Sequence, residues 1–449
     1  MKRILSFILW FFLLSTVYAH GTILTLHLKQ VEREALHHSF TLQAAQFDAQ
    51  AAQTLPGSPA LLYFPRLNLE GGWSYLGTVP SLSLLPGQPP VQFESHHNYD
   101  AELAANWILW DSGVSLYQWQ SLEDIAKSQK AKAIWLKKQT LLDARLDYFQ
   151  VQDDLDTVHL LRNALLLSWA QYHDILNRFL AGVSSKLDEL SSHLDLLTHE
   201  RELSQARAQL ANALQNLFSL TGQKGTWNCS LPLDNPGKKS LPPEVPAPTV
   251  ILTMDSFHQS VAHLKGTWSQ MPTLTNPEVE IYHNLVKSTN KQSSSLVATN
   301  WPQIQISAST GIQYPNGPIF QQVHQNTLGI VASIPLFDAD LSGRRIRSLK
   351  FQSKAYQATQ NQTLTNLIQT WQDAHNQLVA LMDQKHIDIQ AVQEAQALSK
   401  LVYDSYQSGA STYLDVQTAD YNALSAELQA AQTKIEILMQ MATLASLTN

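Results

Sequence analysis

The stretch Arg178-Phe179-Leu180-Ala181-Gly182-Val183-Ser184-Ser185-Lys186-Leu187-Asp188 is echoed by Ser405-Tyr406-Gln407-Ser408-Gly409-Ala410-Ser411-Thr412-Tyr413-Leu414-Asp415, 227 positions later. Upstream, Leu109-Trp110-Asp111 answers to Leu336-Phe337-Asp338 at the same offset. Separated anchors sharing one offset mean that the residues between them align without a gap, which marks a duplication. The chain is therefore two copies of one supersecondary plan.

Each copy runs through the same elements. A helix is expected first, over Leu28–Gln53 in copy one and Asn276–Thr299 in copy two. Pro65 and Pro302 then open alternating segments, where proline suits the start of a strand. In copy one Leu67, Leu69, Trp73 and Tyr75 alternate with Asn68, Glu70 and Ser74; in copy two Ile304, Ile306, Ala308, Thr310, Ile312 and Tyr314 alternate with Gln303, Gln305, Ser307, Ser309 and Gln313. Loops rich in Pro, Gly and Asn come next at Gly77–Asn98 and Pro315–Asn326. A second alternating run returns at Tyr99–Leu109 and Leu328–Leu336. Runs of about 10–12 residues match a tilted strand crossing a bilayer, and Trp73, Tyr75, Tyr99, Trp107 and Trp110 suit aromatic girdles at its two interfaces. Alternation alone fits a soluble hairpin with one face on a core equally well.

The segment after each hairpin decides the architecture. From Asp111 to about Leu180, and from Asp338 to about Gln407, there is no proline and the composition favours helix. About 70 residues at 1.5 Å each give roughly 100 Å of helix, far longer than a globular domain uses. Gly182 and Gly409 sit where such a helix ends and reverses, as a left-handed C′ residue does. The pattern resumes to about Leu220 and Leu447, so each copy closes with a long antiparallel helical hairpin. In the last helix Leu414, Gln417, Tyr421, Leu424, Leu428, Ala431, Ile435 and Leu438 keep the three-and-four spacing of a heptad seam, which ordinary coiled-coil packing accounts for.

Met1-Lys2-Arg3, an apolar stretch from Ile4 to Tyr18 and the small-residue site ending at Ala19 read as a signal peptide over 1–19, with an uncleaved anchor as the other reading. No later run of roughly 18 apolar residues exists, so a membrane role for the mature chain rests on β-strands. The expected layout is a first repeat over 20–220, a proline-rich linker over 221–275 and a second repeat over 276–449. The single cysteine, Cys229, lies in the linker and excludes a disulfide framework. A net charge of −7 offers no field for nucleic acid.

The ordered set resembles the outer-membrane efflux protein family, the TolC-like export ducts. The residues that carry it are Pro65-Arg66-Leu67-Asn68-Leu69, Ile334-Pro335-Leu336-Phe337-Asp338, Arg178–Asp188 with Glu200-Arg201-Glu202-Leu203, and Tyr406-Gln407-Ser408-Gly409 through Asp415-Val416. The resemblance implies a mainly α chain with transmembrane β: a homotrimer whose protomers each give four strands to one twelve-stranded β-barrel, continuous with a long α-helical barrel. It implies a passive outer-membrane exit duct of a Gram-negative bacterium for efflux or type I secretion, its helices in the periplasm. A periplasmic adaptor and an inner-membrane pump would be its partners, with the adaptor docking at the helical tips near Gly182 and Gly409.

The same resemblance assigns roles at the tip. Asp415 falls at the family's acidic ring, and a second ring acid would fall at Thr418. An acid and a tyrosine that close the resting tip fall at Asp188 and Tyr406, and a basic partner would fall at Ser411, which cannot form that ion pair. An acid near a helix N-terminus stabilises the helix dipole, and Asp188 and Asp415 fit that simpler role as well.

Two other classes compete. A soluble periplasmic coiled-coil scaffold or adaptor would use the helices, but it would be expected to carry one helical hairpin between β-rich halves rather than two complete copies. An enzyme finds little footing: GxGxxG, GxxxxGKS, HExxH and GxSxG are absent. The pairs His37-His38 and His96-His97 cannot share one helix or strand face, and His159, His173, His193 and His199 are scattered. No catalytic residue, cofactor or resident metal is expected.

Overall fold

The structure, a computed structural model, describes residues 22–82, 90–92, 94–222, 250–264, 270–317 and 319–448. The expected signal peptide, Cys229 and much of the expected linker lie outside these residues. In copy one the elements are β1 (Thr22–Leu26), α1 (Leu28–His38), α2 (Phe40–Thr54), β2 (Arg66–Tyr75), β3 (Ser81–Leu82), β4 (Val91–Gln92), β5 (His97–Trp110), α3 (Val114–Leu180) and α4 (Lys186–Thr221). Copy two continues with β6 (Val250–Met254), α5 (Phe257–Leu264), α6 (Pro277–Ala298), β7 (Gln303–Tyr314), β8 (Val323–Ser333), α7 (Leu341–Gln407) and α8 (Tyr413–Leu447). The helices α3 and α7 have the same length, 67 residues, and both their ends are 227 positions apart.

The junction from strand to long helix is built identically in the two copies. Asp111 accepts the backbone N–H groups of Gly113 and Ser115 at 3.0 and 2.7 Å; Asp338 accepts those of Asp340 and Ser342 at 3.0 and 2.9 Å. These carboxylates satisfy N–H groups that the first turn leaves unpaired. The chain reverses between strand and helix through positive φ at Ser112 and Gly113 (58° and 93°) and at Ala339 and Asp340 (53° and 61°). Only copy one spends a glycine there, so copy two holds two non-glycine residues in a conformation that L-residues rarely adopt.

The described residues divide into two compact units. One draws on Phe40–Lys137 and Met271–Gln369, the other on Met1–Ser39, Lys138–Gln270 and Thr370–Thr448. The first holds an antiparallel four-stranded sheet in the order β2-β5-β7-β8. Its register sets Leu67, Ala105, Ala308 and Leu328 in one row, and Trp107, Ile306 and Ile330 in another. The opposite face carries Glu70, Glu102, Gly311 and Gln325, beside Arg66, Asn106, Ser307 and Gly329. Gly311 is required at its place, because a Cβ there would lie 2.5 Å from the Ala101 carbonyl oxygen. The apolar face is uncovered: Leu69, Leu328 and Ile330 are 80, 76 and 69% exposed. In the same unit α6 packs small polar residues on the start of α3, with Ser288 Oγ 2.9 Å from Ser121 Oγ.

The second unit is a helical assembly around one large apolar cluster. Leu26, Leu28 and Val31 meet Tyr148 and Phe149 of α3, Leu214 and Leu217 of α4, Leu378 and Leu381 of α7, and Leu438, Met441 and Leu444 of α8. Tyr148 Oη ties its centre, donating to the Leu26 carbonyl at 2.9 Å and accepting the Asp255 N–H at 2.8 Å. Arg145 pairs with Glu32 at 2.6 Å at its margin.

Several expectations need correction. The helix expected over Leu28–Gln53 is two helices, broken at Ser39, whose extended ψ of 104° ends α1. The loop expected at Pro315–Asn326 ends early, since β8 begins at Val323 and pairs with Gln313. The second strand of copy two stops at Ser333, because Pro335 offers no N–H to a ladder. Within the expected linker, Val250–Met254 forms a parallel pair with Thr22–Leu26, and α5 comes after it. The heptad seam holds only in the last part of α8: Ile435 and Leu438 are buried, but Leu414 and Tyr421 are 69 and 68% exposed. Earlier in that helix the buried series is Tyr413, Val416, Ala419 and Ala423, whose small members let neighbouring helices approach closely.

Candidate functional site

Both helical hairpins turn through the same hydrogen-bonded motif. After α3 the Gly182 N–H donates to Phe179 O at 3.0 Å and the Val183 N–H to Arg178 O at 2.9 Å; after α7 Gly409 donates to Tyr406 O at 3.0 Å and Ala410 to Ser405 O at 2.9 Å. This paired closure needs a left-handed residue at C′, and Gly182 and Gly409 have φ of 77° and 81°. A side chain at either position would meet open space, so conformation rather than crowding selects glycine.

The next helix of each hairpin starts on a capping box. Ser185 accepts the Asp188 N–H at 3.1 Å while Asp188 Oδ2 accepts the Ser185 N–H at 3.4 Å. Thr412 accepts the Asp415 N–H at 3.3 Å while Asp415 Oδ2 accepts the Thr412 N–H at 2.9 Å and its hydroxyl at 2.7 Å. Both acids therefore do fill the helix-capping role. Hydrogen bonds from Thr412 hold the Asp415 carboxyl below the usual carboxylate range, and the residue is exposed. Thr418, one turn on, is also exposed and donates to Leu414 O at 2.9 Å. Ser411 is half-buried beside the turn.

Asp188 and Tyr406 are joined indirectly. Ser184 Oγ donates to Asp188 Oδ2 at 3.1 Å and lies 3.4 Å from Tyr406 Oη. Tyr406 packs edge-on against Tyr413 at 5.8 Å, and Tyr413 closes a small apolar cluster with Ile175 and Val416. Next to these, sequence reasoning missed a polar tie between the two hairpins. Arg178 Nε donates to Asp174 at 3.0 Å, Tyr403 Oη donates to the same carboxylate at 3.2 Å, and Arg178 Nη1 reaches Gln407 O at 3.4 Å. Burial is the main cause that raises the Tyr403 hydroxyl above its ordinary range. A signal was present: Arg178 answers to Ser405 across the repeat, so the cation belongs to one copy only.

Farther along the helices Gln171 Nε2 donates to Asp420 Oδ2 at 2.8 Å, and Gln417 Nε2 to Ser191 O at 3.2 Å. Asp195 accepts from Ser168 at 3.1 Å and faces His199 at 3.9 Å. Burial raises Asp195 above the usual carboxylate range, the nearby His199 works against that, and Asp420 adds to it. His173 packs at a tilt on Trp169 at 4.3 Å and His193 stacks on Tyr172 at 4.9 Å, as packed aromatic rings do. Among the described residues no three His, Cys, Asp or Glu side chains converge as metal ligands, and no helix is long and apolar enough to cross a membrane.

The family model described as outer membrane efflux protein matches residues 31–223 and 271–449. No curated protein sequence is matched. Among solved structures, VceC, an outer membrane protein of Vibrio cholerae, is similar at 17% identity with a TM-score of 0.72, covering 94% of this chain and 95% of that one. The CmeC outer membrane channel of Campylobacter jejuni is similar at 12% identity with a TM-score of 0.73, covering 94% of this chain and 85% of that one. The CusC channel is similar at 15% identity and a TM-score of 0.73, over 94% of this chain and 92% of that one. At such identities the structural likeness speaks to the fold.

Proposed function

Because the chain belongs to the outer membrane efflux protein family, we propose that three copies assemble into one duct, a twelve-stranded barrel in the outer membrane continuous with a helical tunnel in the periplasm. The protein is an outer-membrane efflux channel, and not a soluble periplasmic scaffold or an enzyme.

The observation that carries the trimeric reading is the four-stranded sheet. In lipid an unpaired strand edge leaves each backbone group several kcal/mol short of a partner, so an open sheet cannot span a bilayer. β2 and β8 are the two edges, and they run antiparallel to each other. Pairing β2 of one copy with β8 of the next closes a ring of three copies, wide enough for a water-filled lumen. Tyr99, with Trp73 opposite and Tyr314 stacked 5.0 Å away, marks one aromatic row; Trp107, on the same face of β5, marks another. Eight residues separate these rows by about 26 Å along the strand, or about 20 Å across the bilayer at a strand tilt near 40°, somewhat less than the roughly 25 Å apolar band of outer-membrane barrels. The face with Glu70, Glu102, Asn106 and Ser307 would then line the lumen.

The tip residues gain roles in the same reading. Asp415 forms a ring of three carboxylates, with Thr418 contributing only a hydroxyl to the second ring. Asp188, Ser184 and Tyr406 hold the resting tip, and Ser411 contributes no ion pair to it. The turns at Gly182 and Gly409 are where a periplasmic adaptor docks, linking the duct to an inner-membrane pump that supplies the energy. The two repeats, 20–220 and 276–449, are joined by 221–275, a connection that itself carries β6 and α5. Reconstituting detergent-extracted protein into planar bilayers tests the reading: discrete, ohmic conductance steps support it, and an electrically silent protein contradicts it.

A further inference from the structure

The apolar face of the four-stranded sheet carries a cluster of three polar side chains at its β8 edge. The row Leu69, Leu103, Thr310, Asn326 and the next row, Gly71, Ala101, Ile312, His324, place them together. Thr310 Oγ1 donates to Asn326 Oδ1 at 2.7 Å, so His324 Nε2, 3.1 Å from the same hydroxyl, donates to it. The chain of bonds stops there: Asn326 Nδ2 and His324 Nδ1 have no partner among the described residues. The opposite edge is in the same condition. Trp73 and Tyr75 of β2 are 68 and 58% exposed, and Trp73 Nε1 and Tyr75 Oη have no hydrogen bond among the described residues. Polar groups turned toward lipid cost several kcal/mol each unless something satisfies them.

Barrel geometry brings these two edges together in a restricted register. Crossing from β2 through β5, β7 and β8 to the β2 of the next copy takes four strand spacings, about 19 Å. With barrel strands leaning by roughly 35–45°, that crossing displaces the pairing by about 13–19 Å along the strand, or about four to six residues. Only an even shift keeps the apolar side chains on one face, which leaves about four or six.

Handedness sets the direction of the shift. The Leu76 N–H donates to His96 O at 2.8 Å, so the even residues of β2 turn their backbone groups toward β5, and the odd ones, Leu67 to Tyr75, turn theirs outward. For an L-residue on a rising strand with its side chain toward the viewer, the backbone groups point to the viewer's right. Seen from the apolar face with the loop after β2 uppermost, β5 therefore lies left of β2, and β8 lies farthest left. The right-handed twist of strands makes them lean to the right as they rise in a barrel, so a row of paired residues climbs from β2 to β8. Each β8 residue then meets a β2 residue of the next copy that lies nearer the loop than its own row. Asn326, level with Leu69 in its own sheet, comes to Trp73 or Tyr75; His324, level with Gly71, comes to Tyr75 under the smaller shift. The polar cluster is thereby raised to the aromatic girdle.

Resting on the trimeric duct reading, we infer that the seam between copies is sealed on its lipid face by hydrogen bonds between Trp73 and Tyr75 of one copy and Asn326 and His324 of the next. The chemistry is complementary. Trp73 Nε1–H has a second lone pair of Asn326 Oδ1 to donate to, and the Tyr75 hydroxyl has His324 Nδ1, or accepts from Asn326 Nδ2 under the larger shift.

Cross-linking between two tagged full-length variants, co-expressed on a Cys229→Ser background, tests the register. One carries Asn326→Cys; the other carries Trp73→Cys, Tyr75→Cys or Leu69→Cys, and a short thiol cross-linker is applied to outer-membrane fractions. A covalent dimer bearing both tags is expected with Trp73→Cys or Tyr75→Cys and is lost with Leu69→Cys, the position level with Asn326 inside one copy. Cross-linking through Leu69→Cys, or through none of the three in a particle that light scattering finds trimeric, would overturn the register and leave the trimer standing. A particle that is not trimeric would instead sink the duct reading, and the seam with it. Tyr75→Phe, which keeps the ring, should lower the temperature at which the extracted trimer dissociates; an unchanged temperature would overturn the hydrogen bonds.

Discussion

Asp188 and Tyr406 meet through a third residue: Ser184 Oγ donates to the Asp188 carboxylate at 3.1 Å and stands 3.4 Å from the Tyr406 hydroxyl. The link between the two hairpins at this point therefore passes through one serine. Ser184→Ala and Tyr406→Phe should each raise single-channel conductance or open time, and the double variant should do no more than either alone. Residues in one chain of bonds are non-additive, whereas independent ones add. Additive effects would show that serine and tyrosine act separately.

Asp415 carries a charge that Thr412 protects. Its carboxyl is held low by the Thr412 hydroxyl and N–H, so it stays ionised as pH falls further than an ordinary carboxylate would. If it forms the ring, Asp415→Ala should weaken block of the channel by trivalent cations. Thr412→Ala removes the hydroxyl, returns the carboxyl toward its ordinary range, and should make block disappear at a higher pH than in the wild type. Block with the same pH midpoint in both proteins would separate Asp415 from the constriction.

Asp153 works in the opposite sense. Burial, with the neighbouring Asp154, Asp156 and Glu436 charges, pushes its carboxyl up to about 6. An acid whose folded pKa lies above its unfolded value binds protons more tightly when folded. The folded state is thus favoured below the unfolded pKa and loses that advantage as pH rises through about 6. Asp153→Asn should flatten the fall in thermal stability between pH 5 and 7.5 and stabilise the protein at the upper end. The gain is on the order of 1 kcal/mol, because solvent still screens this side chain. An unchanged slope would assign the pH dependence to other groups.

Tyr148 carries a structural bond of larger value. Its hydroxyl serves both the Leu26 carbonyl and the Asp255 N–H in a fully buried setting. Tyr148→Phe strands both backbone groups and should cost about 1–3 kcal/mol in denaturant unfolding of the detergent-solubilised protein. A neutral substitution would mean that β1 and β6 are held to α3 by packing alone.

Much of the architecture is written into the repeat. Asp111 and Asp338, Gly182 and Gly409, and the ends of α3 and α7 keep one offset, because each is a backbone requirement that both copies must meet. The β1–β6 pair escaped notice for a physical reason. Thr22–Leu26 and Val250–Met254 are short runs without polar alternation, and periodicity cannot tell such runs from buried helix. The break at Ser39 lacks a proline or glycine to announce it. At the tip, the capping role of Asp188 and Asp415 is legible from their place near a helix start, whereas a gating role for them and for Tyr406 comes only from the resemblance. Ser184 carries no signal of its own in the sequence, because its contacts with Asp188 and Tyr406 arise from two hairpins meeting in space. The Gln171–Asp420 bond has no local signature, since tertiary packing alone brings α3 beside α8.

The duct requires that three open sheets close one another. Light scattering on protein extracted from the outer membrane, with bound detergent subtracted, tests it most directly. A particle of three chain masses, absent from the soluble fraction, is the predicted result. A monomer or dimer would contradict it, because neither can pair every β2 edge with a β8 edge around a lumen.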